Sequence, residues 1–167
     1  KQTAVIQVVT VKDSITIAPF QMIQDTDVQV KEVARVNLPP DTIYTTQDIV
    51  GKRSAMAILP STVLRKGHML QTDSLIGVLT YIGKDSLVAM AIPMEAEQAE
   101  LGKVGEFITL HGIVRKGTDN ALLSIRKVPI LERTDLVVTV AVTAEQSDAL
   151  DQVLLGGGKI RMVLNQN

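Results

Sequence analysis

Short apolar runs rich in β-branched residues constrain the fold of this chain most. Four of them occupy residues 3–11, 28–36, 107–114 and 136–142, and none spaces its apolar positions as a helix would. Val and Ile favour the pleated geometry of strands. Proline and glycine clusters, such as Pro39 and Pro40, interrupt the chain between such runs. The sequence therefore predicts a mainly β protein with few short helices.

Two pairs of runs are spaced as antiparallel hairpins. Residues 75–82 and 87–92 flank a polar turn at 83–86, and residues 107–114 and 121–131 flank a turn at 116–120. The run at 28–36 starts with period two and then slips by one residue, which predicts a strand with a bulge or a bend. Residues 94–101 suggest a short helix that stops at Gly102. Thr45 and Gly51 suggest one or two helical turns between them.

The C-terminal region has the clearest local pattern. A strand at 136–142 leads into Thr143 and Gln146, which form a Thr-x-x-Gln capping box and so predict the start of a helix. Leu150 lies among apolar positions spaced for one buried helix face, and Gly156 is predicted to end the helix. Residues 159–165 then return as a strand. We expect this strand, helix and strand to form a structural unit rather than a binding site.

Composition argues against several classes of ligand. The 167 residues carry 17 basic and 18 acidic side chains, for a net charge of −1. Nucleic-acid binding usually needs a concentrated basic surface, and stacking on single strands needs aromatic residues, which make up only 2% of this chain. No cysteine is present, so disulfides and thiolate metal ligands are excluded. We expect no nucleic-acid partner.

The sequence offers no constellation typical of an active site. His68 and His111 lack a second ligand at metal-binding spacing, and no Gly-x-Ser-x-Gly elbow occurs. The glycines before Lys159 follow a helix, whereas a phosphate-binding loop precedes one. The remaining acidic groups are better explained as a solvated helix face and a turn: Glu95, Glu97, Glu100, Asp25 and Asp27. We therefore predict no catalytic, cofactor-binding or metal-binding residue, no cofactor and no enzyme activity.

The first part of the chain resembles a SAF domain, a small β-clip module. The opening strand at 8–11 and the following segment at 15–22 are similar to those of the family. Residues 48–52 match its acidic-apolar-apolar-Gly-basic stop, which contains Gly51, and residues 65–75 match its closing turn, which contains Gly67. The Pro-Gly pair usual before Ile17 is absent. The resemblance implies a SAF-like β-clip domain over residues 1–74.

The second part resembles the C-terminal region of the CpaB/RcpC family of Flp (tight-adherence) pilus assembly proteins. Residues 138–146, Leu150 and residues 158–165 follow the closing strand, helix and strand of that family. Residues 103–110 are similar to its Pro-Gly-Asp element, with Gly105 followed by Glu106 where the family has Asp. The resemblance implies a small α+β domain over residues 75–167, and a structural role for Gly105.

Two functions follow from these resemblances. The first is a non-catalytic extracytoplasmic scaffold in a pilus or secretion-channel assembly, which binds other assembly proteins and is held at the membrane by an N-terminal anchor before Lys1; self-association is left open. The alternative is a SAF-type ligand-binding or enzyme-accessory module that contacts a sugar or hydroxy acid. Edge strands are the expected interface for a scaffold. The sequence does not show which strand lies at an edge.

Overall fold

In the part of the chain that the structure describes, two antiparallel sheets and two short α-helices make up most of the regular structure, which confirms the prediction of a mainly β protein. The computed structural model describes residues 4–82, 86–98 and 101–164. The chain divides into two compact units, Lys1–Val78 and Leu79–Asn167. The predicted division after residue 74 into a SAF-like and a CpaB/RcpC-like domain stays a prediction.

The first unit is built on a two-stranded sheet. Strands β1 (Val5–Val11) and β2 (Val28–Ala34) pair antiparallel in one continuous register. Strand β2 therefore contains no bulge, and the bend that was the other alternative lies just after it, at Arg35. The period-two pattern was misleading because β2 does not bury one face: Val28 is buried, whereas Val30 is 49% exposed.

Irregular segments complete the first unit on the free side of β1. Val9 N–H donates to the carbonyl of Ile43 at 3.0 Å, and Leu64 N–H donates to the carbonyl of Val9 at 2.9 Å. These bonds satisfy the outer edge of β1 without a third regular strand. The apolar side chains of these segments form the core of the unit: Val9, Val11, Ile17, Ile23, Val28, Ile43, Ile49, Ile58, Leu64 and Met69.

Helix α1 (Leu75–Tyr81) replaces the strand predicted at 75–82. The hairpin prediction was wrong because Ser74 begins a helix: its Oγ accepts from Gly77 N–H at 3.1 Å, an N-cap interaction. Val78 is buried, whereas Ile76 is 77% exposed, as expected for a helix with one buried side. Most of the predicted turn, residues 83–85, lies outside the described part of the chain.

A five-stranded antiparallel sheet forms the second unit. Its strands, in the spatial order β3-β6-β5-β4-β7, are β3 (Leu87–Pro93), β4 (Phe107–Lys116), β5 (Asp119–Thr134), β6 (Val137–Thr143) and β7 (Arg161–Leu164). Strands β4, β5 and β6 form a meander, and β7 returns to lie beside β4, as in a Greek key. The hairpin predicted from 107–114 and 121–131 is present as β4 and β5.

Helix α2 (Ala144–Leu155) connects β6 to β7 and packs on the sheet. Leu150 and Val153 are buried within the core of this unit. The core also includes residues from every strand of the sheet, among them Ile92, Ile108, Ile130, Val140 and Met162. The unit thus closes as a strand, a helix and a strand.

The segment before β4 is less helical than its sequence indicated. A 3-10 turn covers only Ala96–Gln98, whereas a helix was predicted over 94–101; residues 99–100 lie outside the described part. Gly102 has a φ of +74°, so the backbone turns there. In the described residues, no helix has the length and apolar composition needed to cross a membrane.

Candidate functional site

The capping box at the start of α2 has the geometry that its sequence indicates. Gln146 N–H donates to Thr143 Oγ1 at 3.1 Å, and Thr143 N–H donates to Gln146 Oε1 at 3.0 Å. Two helix-end donors are thereby satisfied. Leu150 has no exposed surface. The purely structural role of these three residues stays a prediction.

Helix α2 ends at Leu155, directly before the glycines at 156–158 that are predicted to stop it. Gly156 has a φ of −78°, which any residue adopts, whereas Gly157 has a φ of +76°. Gly157 N–H donates to the carbonyl of Leu154 at 3.1 Å, and Gly158 N–H donates to that of Val153 at 2.9 Å. These two bonds are those of a Schellman motif, in which the left-handed residue follows the C-cap. Gly157, rather than Gly156, is therefore the position that requires glycine.

The other predicted structural glycines lie at turns. Gly51 (φ +86°) donates to the carbonyl of Ile23 at 2.8 Å, and Gly105 (φ +85°) donates to that of Ile130 at 2.9 Å. Gly67 N–H donates to Asp41 Oδ2 at 3.2 Å. Gly51 and Gly67 thus lie at separate turns of the first unit, and Gly105 lies at a turn of the second unit.

Three titratable side chains, His68, Asp41 and Glu95, interact with neighbouring residues of the fold. Arg65 N–H donates to His68 Nδ1 at 3.1 Å, and burial together with the Arg65 charge lowers the pKa of His68. A hydrogen bond from Arg65 lowers the pKa of Asp41. Glu95 forms an exposed ion pair with Lys159 at 3.2 Å. Over residues 4–82, 86–98 and 101–164, no group of three or more His, Asp or Glu side chains could hold a metal ion.

Strand edges are the other candidate site, and they differ in how they are protected. At the edge strand β7, the Gln98 amide bonds the backbone of Met162: Nε2 donates to the carbonyl at 3.0 Å, and Met162 N–H donates to Oε1 at 3.1 Å. Gln98 thus occupies the position of a neighbouring strand. Arg133 bonds the carbonyls of Gln98 (2.8 Å) and Gly102 (2.9 Å), which holds this segment in place.

The free edge of β2 is protected by charge. Lys31 and Glu32 lie on this strand, and Lys31 Nζ pairs with Asp13 at 2.8 Å. Charged side chains on an edge strand oppose pairing with another chain. Strand β2 is therefore a poor template for a further strand.

The opposite edge of the second sheet, β3, has neither kind of protection. Its sequence from Leu87 to Pro93 contains no charged residue. Ala89 and Ala91 are exposed, and Val88 is 37% exposed. No residue in the described part of the chain forms a backbone hydrogen bond to the outer side of β3. An uncharged, uncovered edge strand of this kind can accept a further strand.

A cleft of about 520 Å³ lies in the first unit. Buried Ile43, Met69 and Leu70 contribute to its apolar lining. Its polar lining residues are exposed for the most part and carry both signs of charge: Asp48, Lys52, Lys66, Gln71, Thr72 and Asp73. Lys52 and Lys66 offer positive charge to an anionic group in this cleft, and Asp48 and Asp73 balance that charge.

Sequence reasoning missed two polar residues that organise these regions. Gln98 was not distinguished from its acidic neighbours. Arg53 is only 5% exposed; its guanidinium donates to the carbonyls of Asp73 at 2.8 Å and Phe20 at 3.1 Å. Asp73 and Phe20 are both distant from Arg53 in the sequence, so no local pattern indicates either contact.

Comparison with models of known protein families gives no match, and comparison with curated proteins gives none. Among solved structures, the chain is similar to Salmonella FlgA in its open form, with 14% sequence identity and a TM-score of 0.38. The alignment covers 92% of this chain and 66% of that one. The chain thus spans about two thirds of the FlgA chain. No matched family model supports the CpaB/RcpC resemblance, which stays a prediction.

Proposed function

We propose that this chain is a non-catalytic assembly protein that acts outside the cytoplasm by binding other proteins through its β surfaces. The observation that carries the proposal is the β3 edge. Natural sheets usually protect such an edge by charge, by a bulge or by covering it. In this chain β2 is charged and β7 is covered by Gln98, whereas β3 has neither; proline also protects an edge, and β3 has one only at its last residue, Pro93. A binding role explains the difference.

Exposed apolar residues on the β4–β5 hairpin agree with a protein-binding role. Ile113 and Leu122 are opposite each other in the register and are 55% and 70% exposed. This cross-strand apolar pair lies beyond the core and leaves apolar surface that a partner protein would cover. The near-zero net charge favours protein partners over nucleic acid.

The finer proposal is a scaffold of the CpaB/RcpC type in an Flp pilus or secretion channel. It rests on the order of motifs in residues 8–75 and 103–165. In this proposal the partners are other assembly proteins, an N-terminal segment before Lys1 anchors the protein in the membrane, and residues 1–74 and 75–167 are separate domains.

Deletion and complementation in the organism that carries the gene test this function. We expect deletion to abolish surface assembly of a pilus or secreted protein, and the wild-type gene to restore it. Ala89→Lys, which adds a charge to the β3 edge, should fail to restore it. Ala57→Lys is the matched control, because Ala57 is also exposed but lies outside the sheets. Normal surface assembly in the deletion strain would refute the proposal.

The cleft in the first unit supports a second candidate, the binding of a sugar or hydroxy acid. Lys52 and Lys66 supply the positive charge that a carboxylate needs. Calorimetric titration with lactate and with glucose tests it. Binding that Lys52→Ala and Lys66→Ala each weaken would support this candidate, whereas no heat from either probe would count against it.

A further inference from the structure

The backbone of β3 presents its free hydrogen-bonding groups at defined residues. Met94 N–H donates to the carbonyl of Leu136 at 2.7 Å, in continuation of the register in which Pro93 is opposite Val137. Bonded and non-bonded pairs alternate along an antiparallel ladder. The N–H and C=O groups of Leu87, Ala89 and Ala91 therefore point away from β6. Pro93 also has this orientation, and it has no N–H to leave unpaired.

These outward groups are complementary to themselves. When two copies of β3 lie antiparallel about a two-fold axis at Ala89, Ala89 is opposite Ala89 of the second copy, and Leu87 is opposite Ala91. Each such pair exchanges two backbone hydrogen bonds. Every outward N–H from Leu87 to Ala91 then meets a carbonyl. An axis at Met90 would place Leu87 of each copy opposite Pro93 of the other. Because proline has no N–H, the carbonyl of each Leu87 would then have no donor.

The side chains in this register are compatible. Ala89 meets Ala89 and Leu87 meets Ala91 on one face, and Val88 meets Met90 on the other. No charge is opposed by a like charge, and the small exposed alanines leave the backbones free to approach. Pairing of the same surface on both copies produces a closed two-fold dimer, the commonest form of homo-oligomer.

We propose that the occupant of the β3 edge is a second copy of this chain, paired antiparallel about Ala89 so that the two five-stranded sheets become one continuous sheet. This inference rests on the proposed function in one respect, namely that the β3 edge is a protein contact. It adds the identity of the partner and the register. A strand from a different protein is the competing occupant.

The cysteine-free chain allows a direct test of the register. In the proposed dimer the two Ala89 Cα atoms are about 5.5 Å apart, as in a hydrogen-bonded antiparallel pair. A disulfide bridges Cα atoms about 4.4–6.8 Å apart. The two Ala91 Cα atoms are offset by four residues, or about 14 Å at roughly 3.4 Å per residue. Under mild oxidation, Ala89→Cys should give a covalent dimer and Ala91→Cys should not.

Sedimentation of the purified full chain completes the test. The wild type should associate reversibly to a dimer, and Ala89→Lys should be monomeric. Because position 89 is exposed, the variant should melt at the temperature of the wild type at concentrations low enough for the wild type to be monomeric. Ala89→Glu should also be monomeric, and an equimolar mixture of the Lys and Glu variants should restore the dimer, since opposite charges then face each other.

Three results would overturn the inference: a wild type that is monomeric at all concentrations, a dimer that persists in Ala89→Lys, or cross-linking of Ala91→Cys as efficient as that of Ala89→Cys. A monomeric wild type combined with loss of surface assembly in Ala89→Lys cells would point to a strand from another protein. That outcome rejects the dimer and retains the proposed function. Conversely, a dimeric wild type together with normal surface assembly after deletion of the gene would retain the dimer and reject the proposed function.

Discussion

Replacing Gln98 by Met tests whether one side chain protects the β7 edge. Met has a similar length but no hydrogen-bonding amide, so it leaves the N–H and C=O of Met162 without their partners at 3.1 and 3.0 Å. A buried group left unsatisfied costs about 1–3 kcal/mol. Two groups would cost about 2–6 kcal/mol, and water reaching this edge should reduce the loss to about 2–3 kcal/mol. Urea denaturation followed by circular dichroism measures the change in unfolding free energy.

Two further variants sharpen this experiment. Gln152→Met is the matched control, because Gln152 is exposed on α2; it should change the unfolding free energy by less than about 0.5 kcal/mol. Gln98→Glu keeps an acceptor for Met162 N–H but directs a carboxylate at the Met162 carbonyl. It should be less stable than the wild type at neutral pH and recover in acid as the carboxyl is protonated. Equal stability of Gln98→Met and wild type would refute the protective role.

The remaining predictions concern the helix cap, its end and one histidine. Thr143→Ala should lower the unfolding free energy by about 1 kcal/mol and Leu150→Ala by about 2–5 kcal/mol in urea denaturation, both without loss of the β3 dimer. Gly157→Ala should cost about 1–2 kcal/mol in thermal unfolding, because its φ of +76° disfavours a side chain even though nothing lies within 4 Å. The folded-state pKa of His68 is lowered from 6.5, so the contribution of His68 to stability should be constant above pH 6.5, decrease as the pH falls from 6.5 to the folded-state pKa, and level off below it; His68→Gln should remove this slope in a pH series of unfolding curves.

Local sequence patterns predicted those parts of the fold whose determinants are local. Thr143 and Gln146 are three residues apart, so the start of α2 follows from the sequence alone. The same reasoning failed at 75–82, where β-branched and apolar residues suggested a strand but the Ser74 cap selected a helix. Apolar composition does not distinguish a short buried strand from a helix, and a single capping hydrogen bond shifts the balance.

The candidate site could not be predicted because edges are a property of the assembled sheet. Val88 to Ala91 have the same composition whether β3 lies at the centre of a sheet or at its side. Only the spatial order shows that β3 and β7 are outermost. The contact between Gln98 and Met162 spans 64 residues of sequence, and no local spacing indicates it.

Gln98 has a further consequence for stoichiometry. A sheet with two open sides can add copies at both, and every addition presents a new side, so growth has no natural end. By closing β7, the Gln98 amide leaves the sheet a single side for addition. In the proposed dimer, pairing at β3 uses the open sides of both copies, and assembly stops at two. The Gln98 amide thus blocks the addition of a further copy at β7. Without it, the proposed dimer would have two open edges and could grow into a fibre.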